Sequence, residues 1–184
     1  MNAEQLHKTL RASQYAEQVL GNHAILLEQD YAIDQFLVPL STTQIQNSIH
    51  AALDNITDET TWMRAIRVLR ARLMFRWIWQ DANQLTDVVT LTRELSDFAD
   101  ASICAAKDFA RVPLVAKHGE PIGYNGTVQD LIVVAMGKLG AQELNLSSDI
   151  DLIFAFDEQG ESNGRKCIDV QQFCILWGQK LIYL

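Results

Sequence analysis

Asp149 and Asp151 stand two residues apart in an otherwise apolar stretch, Asp149-Ile150-Asp151-Leu152-Ile153-Phe154. On an extended strand, residues i and i+2 point to one face, so the two carboxylates are close enough to share a divalent cation. Two like charges held together need such a cation, or one of them must take up a proton. Upstream, Gly137-Lys138-Leu139-Gly140 follows an apolar run, and backbone N–H groups there can approach phosphate oxygens without interference from a Cβ. Strand, glycine turn, short helix, then a strand opening on Asp-x-Asp is a layout for metal-assisted phosphate chemistry. The plainer alternative is that the aspartates cap a strand end and the glycines only turn the chain.

Other phosphate and metal motifs fail on spacing. A Walker A loop would need glycine at position 132, where Ile132 stands, and Ser or Thr at 139, where Leu139 stands. A dinucleotide fingerprint needs a third glycine in register, and Gly137-x-x-Gly140 does not supply it. An EF-hand would carry oxygen ligands on past Asp151, where Ile153 and Ala155 sit.

The elements that must position these residues are legible in outline. Leu131–Met136 is a short apolar run, which suits a strand buried on both faces. Asp149–Phe156 alternates: Ile150, Leu152, Phe154 and Phe156 face one way, and Asp149, Asp151, Ile153 and Ala155 the other. A polar loop, Asp157 to Lys166, then leads to a helix with Val170, Phe173, Cys174, Trp177 and Leu181 on one side. Between Pro113 and Asp130, Gly119, Pro121, Gly123 and Asn125-Gly126 form a cluster of turn residues.

Residues 1–112 read as helices. Ala3–Leu20 and Thr42–Asn55 are separated by Gly21-Asn22 and the region of Pro39. Thr57 and Asp58 are cap candidates for a helix to about Gln80, in which Trp62, Ile66, Leu69, Leu73 and Trp77 form one stripe. Thr86 and Asp87 can cap another, with Leu91, Leu95, Phe98, Ala105 and Phe109 along its apolar side. The expectation is a helical bundle over residues 1–112 and a second domain over 113–184.

Composition bounds the function class. The 184 residues are 48% hydrophobic and carry a formal net charge of −8, which suits a packed core and argues against a general nucleic-acid binder. Each part is −4, with 10 basic and 14 acidic residues in 1–112, and 5 and 9 in 113–184. Cys104, Cys167 and Cys174 are widely spaced, and His7, His23, His50 and His118 are scattered, so a disulfide scaffold and a structural zinc site are both disfavoured. With no signal-peptide pattern and no apolar stretch of membrane-spanning length, a cytoplasmic protein is expected.

The full string then narrows the reading. Met136-Gly137 followed by Asp149-Ile150-Asp151-Leu152 resembles the DNA polymerase β-like nucleotidyltransferase pattern. Met136-Gly-Lys-Leu-Gly140, Glu143-Leu144-Asn145 and Ser147-Ser148-Asp149-Ile150-Asp151-Leu152-Ile153 closely resemble the bifunctional glutamine synthetase adenylyltransferase/adenylyl-removing enzymes. The resemblance covers Thr42–Leu184, and residues 1–41 match less clearly. It implies an α+β fold, mostly α, in which the helical bundle precedes the N-terminal part of a polymerase β-like domain. It further implies the family's first catalytic half, in which phosphate attacks the adenylyl-tyrosine of modified glutamine synthetase and ADP leaves. By that resemblance Asp149 and Asp151 are catalytic Mg²⁺ ligands, and Gly137, Lys138, Gly140, Ser147 and Ser148 contact nucleotide or phosphate. The implied partners are glutamine synthetase, a PII-type signalling protein, ATP or ADP, and phosphate.

Two features set this chain against the wider superfamily. Lys138 follows the first glycine, as in the narrower family, where Gly or Ser is commoner. The third carboxylate of the superfamily lies on a later strand that does not occur before Leu184, so residues 113–184 are expected to be an incomplete domain, inactive alone. A non-catalytic helical docking module for glutamine synthetase or the regulator is the alternative from another class, and a nucleotidyltransferase with another substrate is a third.

Thr60–Gln80 holds Arg64, Arg67, Arg70, Arg72 and Arg76 and no acidic residue. These arginines are expected to be solvated or paired across helices, against the alternative of an anion- or partner-binding surface. Trp62, Trp77, Trp79 and Trp177 are expected in the core.

Overall fold

A computed structural model of the chain describes residues 3–28 and 38–184. The fold is α+β and mostly helical. It divides into two compact units, one made of residues through Ala99 with Gln142–Ser148, the other of Asp100–Ala141 with Asp149–Leu184.

The first unit is built on helices α1 (Ala3–Ala12), α2 (Gln14–Glu28), α3 (Thr42–Leu53), α4 (Glu59–Ala82) and the opening of α5 (Val88–His118). The single helix expected over Ala3–Leu20 is two, because the Ser13 hydroxyl accepts from the Ala16 N–H and starts a new helix at Gln14. Nor does α2 stop at Gly21-Asn22. It runs to Glu28, and Gly21 faces open space, where a mid-helix glycine costs only about 1 kcal/mol. Ser41 and Gln44 form a capping box for α3, and Asp58 and Asp87 accept the N–H groups of Thr61 and Thr90 at the starts of α4 and α5. Those hydrogen bonds hold both aspartates below the usual carboxylate range.

The stripe Trp62, Ile66, Leu69, Leu73 and Trp77 is buried as its spacing predicts. Beyond Arg72 the helix is enclosed on every side, from Leu73 to Gln80. Inside this core Glu94 accepts from Trp77 Nε1 at 2.7 Å, Arg76 Nη1 at 3.1 Å and the Leu40 N–H at 2.9 Å. Arg76 also donates to the Val38 carbonyl, so one buried ion pair ties residues 38–40 to α4 and α5. Arg76 is thus paired across helices, while Arg64, Arg67 and Arg70 are exposed. On α5, Leu91, Leu95 and Phe98 are buried; farther along, the buried line shifts from the expected Ala105 and Phe109 to Ala106 and Ala110.

Helix α5 does not end before Pro113. It passes through that proline to His118 and closes at Gly119, whose φ of +77° is the usual helix-ending conformation. Pro113 has no N–H to donate to residue 109, a loss of about 3 kcal/mol that the rest of a 31-residue helix absorbs.

The second unit holds two antiparallel strand pairs. β1 (Pro121–Gly123) pairs with β4 (Gly160–Ser162), and β2 (Ile132–Ala135) with β3 (Leu152–Ala155). β1 and β4 lie in segments expected to be turn and loop. They approach so closely that a Cβ on Gly160 would sit 2.0 Å from the Ile122 carbonyl oxygen, which is why glycine there serves pairing. Helix α7 (Val170–Tyr183), capped by Asp169, buries Val170, Phe173, Cys174, Trp177 and Leu181 as expected. Its Gly178 lets the Phe154 ring approach to 3.3 Å of the Cβ position. Trp177 donates to the Lys107 carbonyl at 2.8 Å, which fixes α7 against the later part of α5.

β2 departs from expectation. Instead of being buried on both faces, it exposes Ile132 and Val134 at 46% and 44%. A continuous apolar run names strand residues but not how many faces find a cover.

Candidate functional site

The register of β2 and β3 decides where the aspartates go. Ala135 pairs with Leu152, and the next step is continued by the Met136 N–H, which donates to the Asp151 carbonyl at 2.9 Å. Directly opposed residues of an antiparallel pair share a face. Asp151 therefore shares the exposed face of Met136, Val134 and Ile153, and the alternation expected for Leu152–Phe156 holds: Leu152, Phe154 and Phe156 are half-buried, Ile153 and Ala155 exposed. The strand itself begins at Leu152, so Asp149 and Asp151 precede it rather than lie within it, and Ile150 is exposed instead of joining the inner row.

The glycine turn is a single helical turn, α6 (Gly137–Gly140). Gly137 has φ +57°, a conformation that L side chains rarely adopt, and a Cβ built on it would lie 4.0 Å from Asp151 Oδ2. The Asp151 carboxylate is thus the neighbour of the turn. Gly140 is needed for a different reason: a Cβ there would come within 2.5 Å of the Ala135 carbonyl oxygen. Leu139 is buried and anchors the turn, while Lys138 is exposed.

Asp149 and Asp151 are both exposed. Their oxygens are hard donors of the kind Mg²⁺ takes, with water and substrate oxygens completing its shell. Among the described residues no group of three or more His, Cys, Asp and Glu side chains is placed to hold a metal ion. By the resemblance alone, Asp149 and Asp151 are the donor pair for such an ion.

Ser147 and Ser148 fall in the helical unit, whereas Gly137, Lys138, Gly140, Asp149 and Asp151 fall in the other. The segment Gln142–Ser148 is held in its own unit by the Leu144 N–H, which donates to Ser96 Oγ at 3.1 Å, and by Leu146 against the cluster of Ala16, Phe75, Ile78 and Trp79. Asn145 shapes its end: its Oδ1 accepts the Ser147 N–H at 3.1 Å and the Ser148 hydroxyl at 2.7 Å. Asn145 thus organises this end of the segment. Asn two residues before a turn serine is the signal that marks it.

Comparison with known proteins agrees with this motif. A family model described as glutamate-ammonia ligase adenylyltransferase matches residues 3–184, and so extends over the N-terminal stretch where the resemblance is less clear. The bifunctional glutamine synthetase adenylyltransferase/adenylyl-removing enzyme of Acinetobacter baylyi is 77% identical over 184 residues, all of this chain and 20% of that protein. The same enzyme of Pseudomonas aeruginosa is 38% identical over 182 residues, 97% of this chain and 18% of its own length. That of Thioalkalivibrio sulfidiphilus is 40% identical over 146 residues, 79% of this chain and 15% of its own. The chain therefore spans about a fifth or less of these relatives, and it belongs to the glutamate-ammonia ligase adenylyltransferase family.

Proposed function

We propose that this chain is part of an enzyme that controls glutamine synthetase by reversible adenylylation, and that it belongs to the half that removes AMP from adenylyl-tyrosine. Family membership supports the general role. The finer assignment comes from the motif's resemblance to the family's first catalytic half; the Asp151 carboxylate beside the positive-φ turn at Gly137, with Asp149 two residues away, supports phosphate chemistry in either direction. Residues 113–184 would then supply the opening part of a polymerase β-like domain, and the helices over 1–112 its preceding bundle.

In this reading an oxygen of inorganic phosphate attacks the adenylyl phosphorus, a new P–O–P bond forms, and the bond to the tyrosine oxygen breaks. The phenol oxygen takes up a proton, and ADP leaves. Asp149 and Asp151 would hold Mg²⁺, which when bound supplies charge neutralisation on phosphate oxygens. The Gly137–Gly140 turn presents backbone N–H groups, with Lys138 as an added positive charge, and by the resemblance alone Ser147 and Ser148 would add hydroxyl contacts. Fixing the phosphates in line is what such groups contribute, and misplacement alone costs about a hundredfold.

The test uses the full-length protein of this family carrying Asp151→Asn. ADP release from adenylylated glutamine synthetase with phosphate should fall by at least about a hundredfold, while AMP transfer from ATP stays. Loss of AMP transfer with ADP release intact would overturn the assignment to the removing half.

A further inference from the structure

Helix α4 carries a feature the proposed chemistry does not use. Arg64, Arg67 and Arg70 are all exposed, and among the described residues none of the three guanidinium groups has an ion-pair or hydrogen-bond partner. Other cations of the chain are engaged: Arg76 with Glu94, Lys107 with Asp130, and Arg111 with Glu120. No Asp or Glu occurs anywhere from Thr60 to Gln80 to relieve the row.

Three like charges at i, i+3 and i+6 repel one another along one side of a helix, so the row by itself works against α4. It spans about 9 Å along the axis, in steps of about 4.5 Å. A facing helix that carries carboxylates every three or four residues repeats at nearly the same rise, whereas side chains on one face of a strand repeat at about 6.7 Å. Each guanidinium presents a planar fork of donors that fits a carboxylate with two parallel bonds.

We propose that Arg64, Arg67 and Arg70 are a docking row for an acidic helix of a partner protein. The rest of the molecule sharpens the choice. With a formal net charge of −8, the chain as a whole repels an acidic partner, so a local cationic row sets where one can land.

The experiment is a side-chain NMR titration of the chain with ¹⁵N-labelled arginine. The probe is a helical peptide with glutamate at every third or fourth position, and the same peptide with glutamine is the control. The Nε–H signals of Arg64, Arg67 and Arg70 should shift together and saturate with the glutamate peptide, and stay still with the glutamine peptide. The exposed Arg11, Arg93 and Arg165 are internal references and should move little. Arg67→Glu should weaken the response about tenfold, and Arg67→Lys by less, with far-ultraviolet circular dichroism unchanged. Equal shifts at all six arginines would reduce the effect to general charge attraction and overturn the proposal. So would stronger row-specific shifts with a uridine oligonucleotide or with phosphatidylserine vesicles, which would assign the row to a nucleic acid or a membrane.

Discussion

Both units bury an apolar core, but they differ around their charged residues. The helical unit encloses Phe75, Trp77, Trp79, Ile45 and Ile49 almost completely and sets a buried, fully engaged Glu94 among them. The second unit leaves Ile132, Val134, Met136, Ile150 and Ile153 at 41–52% exposure, on and beside the strands that carry the turn and the aspartates. The helical unit holds the costly buried charge together with Ser147 and Ser148, and the second holds the glycine turn and the aspartates. Loss of the buried ion pair and loss of the Asp151 carboxylate are therefore separable by mutation, since each acts on one unit's contacts.

The strongest challenge to that contrast is Glu94→Ala. It strands Arg76 in the core and removes the acceptor for Trp77 Nε1 and the Leu40 N–H, so a loss of about 3–5 kcal/mol is expected in urea unfolding. A loss no greater than that of a surface substitution would show that the helical core is not organised around this pair. Gly140→Ala comes next. Its Cβ meets the Ala135 carbonyl oxygen at 2.5 Å, and overpacking of this kind costs about 1–3 kcal/mol, read as a shift of β2 and α6 amide resonances and a lower unfolding midpoint.

Gly137→Ala has room, so only the positive φ resists it, at about 1 kcal/mol. An alanine that proves as destabilising as the one at 140 would mean the turn is crowded rather than twisted. Asp151→Asn should be the mildest for folding, within about 0.5 kcal/mol, since the carboxylate is exposed. Its effect should appear elsewhere: Mn²⁺ should broaden the resonances of Gly137 and Asp151 in the unaltered chain, and that selective broadening should vanish in the variant. Broadening that survives Asp151→Asn would place the cation away from the turn.

Much of this was legible in advance where a single local cause decides the structure. The α4 stripe with its Asp58 cap and the alternation of Leu152–Phe156 follow from period and side-chain chemistry alone. What escaped depends on distant partners. Pro113 reads as a stop, yet a long helix tolerates it; Gly123 and Gly160 read as turns, yet they line a strand pair; Leu131–Met136 reads as doubly buried, yet one face is open. For the site, Asp149-x-Asp151 and the glycines were visible as residue types. That Asp151 faces Gly137, that Gly140 abuts Ala135, and that Ser147 and Ser148 sit in the other unit are matters of register and chain path, which spacing does not encode.

The buried thiol at Cys174 gives the second unit a built-in clock. Cys174 is 6% exposed, and burial, with the charge of Asp130 adding, pushes its pKa up to about 11. Cys104 and Cys167 are exposed and serve as references in the same molecule. At neutral pH an alkylating reagent should label those two at once, whereas Cys174 waits until α7 lifts from its packing and the thiol meets water. The lag between the labels measures how often this unit opens, without any probe attached to it.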